Sequence, residues 1–201
     1  MASTEREAAI IANMLRERLE QDVQAFMDYT QEIPSFTKVV LLVKECFENG
    51  GKLLFCGNGG AAAASCHAVD DFMVAAYKDH PMSTISLVDN MATLTATAND
   101  FGYETIFSRQ VRALGRPGDI LFAISTSGNS GNVLKAVEVA QALGLTVVGL
   151  TSKPGGLLGK AADVWLPSTT SHSQVTEEVH LVVLHMIANC VARLLFPSDS
   201  A

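Results

Sequence analysis

The chain alternates short apolar runs with longer segments whose apolar positions recur at helical spacing. Over residues 4–29, Ile11, Leu15, Leu19, Val23 and Met27 repeat every four positions, with Met14 and Phe26 widening the stripe. That spacing predicts one long amphipathic helix. Pro34-Ser35 interrupts it. A second helix is expected over residues 35–49, carrying Val39, Val43, Cys46 and Phe47, with Gly50-Gly51 closing it as a C-cap. Five short apolar runs follow, at residues 52–56, 83–87, 120–124, 146–150 and 163–166. All but the last lead into a glycine-rich, polar or helical stretch. Continuous apolar strands separated by helices indicate an α/β fold with a parallel sheet covered on both faces. A last helix, residues 175–195, is nearly all apolar on one side. The expected organisation is a single domain, 1–201, with residues 1–50 as an N-terminal helical layer. The stripes of its two helices exceed what one sheet face needs, which points to a separate layer or an oligomer interface.

Composition narrows the function classes. The 201 residues are 48% hydrophobic and 17% charged, which suits a globular chain with a large core. A formal net charge of -7 with no Lys/Arg cluster argues against direct nucleic-acid binding. It leaves room for a small phosphate ester held by backbone dipoles. No run reaches the length of a membrane span, and the first residues lack the layout of a signal peptide, so a cytoplasmic protein is expected. Cys46, Cys56, Cys66 and Cys190 show no CxxC spacing and read as buried thiols in a reducing compartment.

The chemistry gathers at two loops. The first strand runs into Gly57-Asn58-Gly59-Gly60 and then a helix beginning Ala61-Ala62-Ala63-Ala64. The third runs into Ser125-Thr126-Ser127-Gly128-Asn129-Ser130, followed by a helical pattern. Hydroxyls, glycines and free N–H groups at a helix N-terminus suit a phosphate. Ligands of doubly wound sheets bind beyond the carboxyl ends of the strands, so the two loops are expected to face one crevice. Neither is a dinucleotide fingerprint or a Walker loop. Ionisable groups lie close by in sequence. His67 and Asp71 stand at i and i+4 on one helix face, and Glu177, Glu178, His180 and His185 share the last helix. Two carboxylates with two imidazoles bind a divalent metal or act as an acid/base pair, and the residues alone leave both open. His180 reads as a packed histidine on an apolar helix.

Gly57-Asn58-Gly59-Gly60, Asn99-Asp100-Phe101-Gly102, Ile106-Phe107-Ser108-Arg109, Ser125–Ser130 and Glu178-Val179-His180 occur in that order. Together they resemble the sedoheptulose 7-phosphate isomerases (phosphoheptose isomerases) of the SIS, or sugar isomerase, superfamily. The similarity runs over residues 19–195. It implies a flavodoxin-like five-stranded parallel sheet and a homotetramer with sites at subunit interfaces. The implied activity is aldose–ketose isomerisation of a phosphorylated seven-carbon sugar, with zinc as the expected metal. Substrate or phosphate contacts are implied at Asn58, Gly59, Asn99, Asp100, Ser125, Thr126, Ser127 and Ser130. Catalytic roles are implied for Asp71, Glu177 and His185, and metal ligation for His67, Asp71, Glu177 and His185. Manganese or iron fits the same donors.

The chain departs from the family pattern at four of these positions. Asp71 stands where the family has glutamate, Glu177 where it has glutamine, Ala61 where it has serine, and Ala75 where it has arginine. A shorter base and an added charge change how a substrate tail and phosphate are held. The resemblance extends to non-catalytic relatives that bind the bacterial replication initiator, through Val111–Gly115 and Leu194–Pro197, and to sugar-phosphate sensors. The set of His67, Asp71 and His185, for which a scaffold has no chemical need, favours the enzyme.

Overall fold

The computed structural model describes residues 2–76 and 79–197; Met1 and residues 198–201 of the expected 1–201 span lie outside them. Five strands form one sheet: β1 (Leu53–Gly57), β2 (Thr84–Ser86), β3 (Ile120–Ile124), β4 (Thr146–Ser152) and β5 (Val164–Ser168). Every pairing is parallel, and the order is β2-β1-β3-β4-β5. The strands run continuously apolar because both faces are covered. Leu53 and Phe55 of β1 join one core cluster, while Leu54 and Cys56 join the other.

The first face carries α2 (Ile33–Glu48), α3 (Gly60–Asp70) and α8 (Ser173–Leu195). The second carries α5 (Ser108–Leu114), α6 (Gly131–Ala142) and α7 (Gly156–Ala161), with α4 (Met91–Phe101) at its rim. Among the described residues α8 alone is long and apolar enough to cross a membrane. It is used as a core helix, with Val175, Val179, Val183, Leu184, Ile187 and Val191 buried against the sheet side.

The 1–50 helical layer divides. The helix α1 (Ala2–Asp28) passes through a 3-10 turn, Tyr29–Glu32, into α2. Pro34 lies inside the first turn of α2 rather than before it, where its missing N–H costs nothing. Val39, Val40, Val43, Cys46 and Phe47 sink α2 into the core, so it is not part of an outlying layer. By contrast, among its described side chains α1 buries only Ala25 and leaves Ile11 65%, Leu15 59%, Leu19 54% and Val23 62% exposed. It is tied down through Arg18, whose guanidinium donates to Gln174 at 3.0 Å and pairs with Glu178 of α8.

At the amino edge of the sheet, buried Asp119 accepts from Lys52 N at 3.0 Å and Arg116 N at 2.8 Å, and pairs with the Lys52 ammonium. The chain order reverses between β1 and β3, so the carboxyl ends of these two strands open a crevice.

Candidate active site

The β1 exit is built for close approach. A Cβ at Gly57 would lie 2.7 Å from that of Ala61, so α3 packs directly on the strand it follows. Gly59 caps α3 at φ +56, a left-handed conformation that favours glycine. Gly60 lies beneath the Glu177 carboxylate, whose oxygens would stand 2.3 and 2.7 Å from a Cβ there.

Two turns along, α3 presents His67, and it then passes into a π-helical turn, Asp71–Ala75, closed by Ala76 N donating to Asp71 O at 2.9 Å. Such turns are frequent at functional sites. Asp71 is 8% exposed. His67 Nε2 lies 3.8 Å from its Oδ1, and His185 Nε2 of α8 lies 3.5 Å from its Oδ2. The two imidazole centroids are 4.8 Å apart. One ligand atom from each of the three side chains falls within 4.8 Å of the others. Burial raises the Asp71 pKa above the usual carboxylate range; His185 and then His67 oppose that rise, and Asp70 adds slightly to it. Asp71 Oδ2 is buried and accepts no hydrogen bond, so one lone-pair region faces the imidazoles uncommitted.

Glu177, expected with these three, is not among them. Eight residues along α8 advance about 12 Å, which carries its carboxylate to Gly60 at the other end of the same cleft. That cleft, about 590 Å³, is lined by Arg18, Gly60, His67, Glu177, Glu178 and Leu181 together with neighbouring small residues. His180 is a core histidine, as read from its apolar helix: its Nε2 lies 3.3 Å from Thr151 O, and burial lowers its pKa to about 4. Of the cysteines, Cys46 and Cys56 are buried and all four are free, but Cys66 is exposed, on the outer face of α3. There its thiol donates to Asp89 at 3.0 Å.

The β3 exit is the second wall. Ser125 is buried, and its Oγ lies 3.0 Å from Ser130 Oγ at the start of α6. Gly128 N donates to Ser125 O at 2.9 Å, and Asn129 N to the exposed Ser127 Oγ at 3.2 Å. The loop is clamped from the β4–α7 connection. Ser152 donates twice to Thr126 O, Leu158 N donates to Gly128 O at 2.9 Å, and Leu157 N donates to Asn129 Oδ1 at 3.1 Å. The first N–H groups of α6 have no main-chain partner within the helix, and that of Val133 is taken by Asn132 Oδ1 at 2.9 Å.

Asn58 joins the two walls. It exchanges amide hydrogen bonds with buried Asn132 of α6, at 2.8 and 2.9 Å, and accepts from Tyr103 Oη at 2.8 Å. Neither Asn132 nor Tyr103 is predicted as a site residue by the sequence reading. Asn132 is the second residue of α6, where a buried amide needs a partner, a signal the sequence offers only once the two loops are known to meet. The expected Asn99 and Asp100 lie on the segment that leads to Tyr103. They are exposed at the end of α4 and bond to each other at 2.8 Å.

The SIS domain family model matches residues 20–152. The phosphoheptose isomerase of Shewanella denitrificans is 38% identical over 192 residues, covering 93% of this chain and 98% of its own. Two solved structures are 31% identical to the chain. The phosphoheptose isomerase GmhA from Neisseria gonorrhoeae has a TM-score of 0.86, covering 90% of this chain and 98% of its own. That from Francisella tularensis has a TM-score of 0.87, covering 90% and 97%.

Proposed function

The chain belongs to the SIS-domain family and, within it, to the phosphoheptose isomerases, and from that premise we propose how its crevice works. It is a sugar-phosphate isomerase, and the substrate we assign is sedoheptulose 7-phosphate, converted to D-glycero-D-manno-heptose 7-phosphate. The observation that carries the chemistry is the buried Asp71 carboxylate between two imidazoles.

Ser125, Thr126, Ser127 and Ser130 supply hydroxyls, with α6 N–H groups behind them, for the phosphate. Asn58, held against α6 by Asn132, adds an amide to that phosphate site, and the open backbone at Gly59 meets the sugar. Asp71 takes a proton from C1 of the ketose while a protonated imidazole, His185, gives one to the C2 oxygen, yielding the enediol. Protonation of C2 by Asp71, once its proton has exchanged with solvent, with loss of the O1 proton to His185, gives the aldose. Burial raises the Asp71 pKa and so makes it a stronger base than an exposed carboxylate.

The donor set also fits a divalent metal. Two imidazoles and a carboxylate bring their ligand atoms within 4.8 Å, and the Asp71 Oδ2 has no other partner. His67, Asp71 and His185 would hold zinc, whereas the Glu177 carboxylate stands apart from them beside Gly60. When bound, zinc supplies a Lewis acid for the sugar oxygens.

We further propose a homotetramer assembled in the cytoplasm, a reading supported by the exposed apolar stripe of α1. The test of function is conversion of sedoheptulose 7-phosphate followed by NMR, with protein freed of metal by chelation and the same protein reloaded with zinc. Conversion by the metal-free protein is the expected result of the proton exchange above; conversion only after reloading would assign the three side chains to the metal instead. Absence of conversion in both would remove the isomerase reading for this substrate.

A further inference from the structure

The hydrogen bonds around Asn58 fix which of its atoms a ligand meets. The chain of assignments starts at a group that cannot be reversed. Val133 N–H only donates, and it lies 2.9 Å from Asn132 Oδ1. That sets the Asn132 carboxamide, whose Nδ2 must then donate to Asn58 Oδ1 at 2.8 Å while Asn58 Nδ2 donates back at 2.9 Å. Tyr103 Oη, 2.8 Å away, is the second donor to Asn58 Oδ1. A carboxamide has two lone pairs and two N–H hydrogens. Both lone pairs of Asn58 are now filled and one hydrogen is used. Turning the amide over would place oxygen against Asn132 Oδ1 and nitrogen against two donors.

We infer that Asn132 and Tyr103 are positioning residues, which lock Asn58 so that its one remaining hydrogen-bonding capacity is an N–H donor for a phosphate-type oxygen. This rests on the crevice being a sugar-phosphate site. The hydroxyls of Ser125, Ser127 and Ser130 rotate freely between donor and acceptor roles. Asn58 does not, so it supplies the fixed preference for an acceptor-only group. The two supports arrive from different elements. Asn132 is buried in α6, whereas Tyr103 is 59% exposed on the 3-10 turn Tyr103–Thr105, after Gly102 at φ +90. Each donor to the oxygen also polarises the amide and strengthens the remaining N–H.

The experiment is a mutant cycle read in KM for sedoheptulose 7-phosphate, in kcat, and in the calorimetric affinity for inorganic phosphate. Because Tyr103 is exposed, Tyr103→Phe removes the hydroxyl without threatening the fold, and Asn132→Ala is the second arm. Tyr103→Phe should raise KM and weaken phosphate binding about fivefold, the worth of one neutral hydrogen bond, acting on KM far more than on kcat. In an Asn58→Ala background neither substitution should weaken binding further, because both act through Asn58. Equal losses with and without Asn58 would overturn the inference, since they would mean direct contact with the ligand. No loss in either background would overturn it as well. If the wild-type protein fails to turn over the sugar phosphate yet the phosphate affinities follow the cycle, the functional reading falls and the positioning role stands.

Discussion

Gly128→Ala tests whether the loop after β3 is held at the geometry its ligand needs. A Cβ on Gly128 would lie 2.0 Å from Gly155 O and 3.1 Å from Gly156 Cα, and its φ is +66. Carbon needs more than about 3 Å from such an oxygen, so the two backbones must separate by about 1 Å. The left-handed conformation costs an alanine about 1–2 kcal/mol, and the overpacking about 1–3 kcal/mol more. A loss of about 2–5 kcal/mol of stability is therefore expected, read from the urea midpoint with the slope unchanged. The larger effect falls on function. Separation breaks the clamp of Leu158 N on Gly128 O and of Leu157 N on Asn129 Oδ1, and so moves the Ser127 hydroxyl. A misplacement of order 1 Å costs about a hundredfold, so kcat/KM for the phosphorylated sugar should drop by about that factor, mostly through KM. A variant with wild-type KM and midpoint would refute the claim that this loop is both tightly packed and in contact with the ligand.

Other elements give independent checks. His180 is buried with a pKa lowered to about 4, below its unfolded value near 6.5, so the unfolded chain binds the extra proton between those limits. Stability should be fully present above that window and fall by about 2 kcal/mol between pH 6.5 and 5, a loss that His180→Leu should abolish in urea melts at the two pH values. Asp119→Ala strands the Lys52 ammonium and two main-chain N–H groups. It should cost about 3 kcal/mol, measured by chemical denaturation. The double variant Leu15→Asp with Leu19→Asp should break an assembly built on α1. Light scattering is expected to give about four times the 21.4 kDa chain mass for the natural sequence and a smaller species for the variant.

The legible part of the fold was the part governed by periodicity. Strands buried on both faces are continuous apolar runs, and all five fall within two or three residues of their expected limits. His67 and Asp71 were readable because the helical repeat alone brings i and i+4 together. Their meeting with His185 depends on α3 packing against α8 in a particular register, which spacing along one helix cannot express. The same register carries Glu177 to Gly60 and away from the three. The π turn at Asp71–Ala75 has no sequence period of its own, so the burial of Asp71 and Phe72 within it could not be read from spacing. Tyr103 was hidden for a related reason, since a tyrosine on a short loop gives no clue to which distant amide its hydroxyl will reach. Cys66 was misjudged because thiols are usually buried, whereas its place on α3 is set by the neighbouring His67 and Ala68 rather than by its own chemistry.

The central claim is that Asp71 moves a proton between C1 and C2 of a ketose phosphate. Incubation with sedoheptulose 7-phosphate in D2O, followed by proton NMR, measures that transfer directly. The natural protein should introduce deuterium from solvent at C1 of recovered ketose and at C2 of the aldose. Asp71→Asn should slow that exchange by about a hundredfold or more while leaving the fold intact by circular dichroism. Exchange in Asp71→Asn at the rate of the natural protein, or aldose formed by the natural protein with no deuterium at C2, would contradict the account.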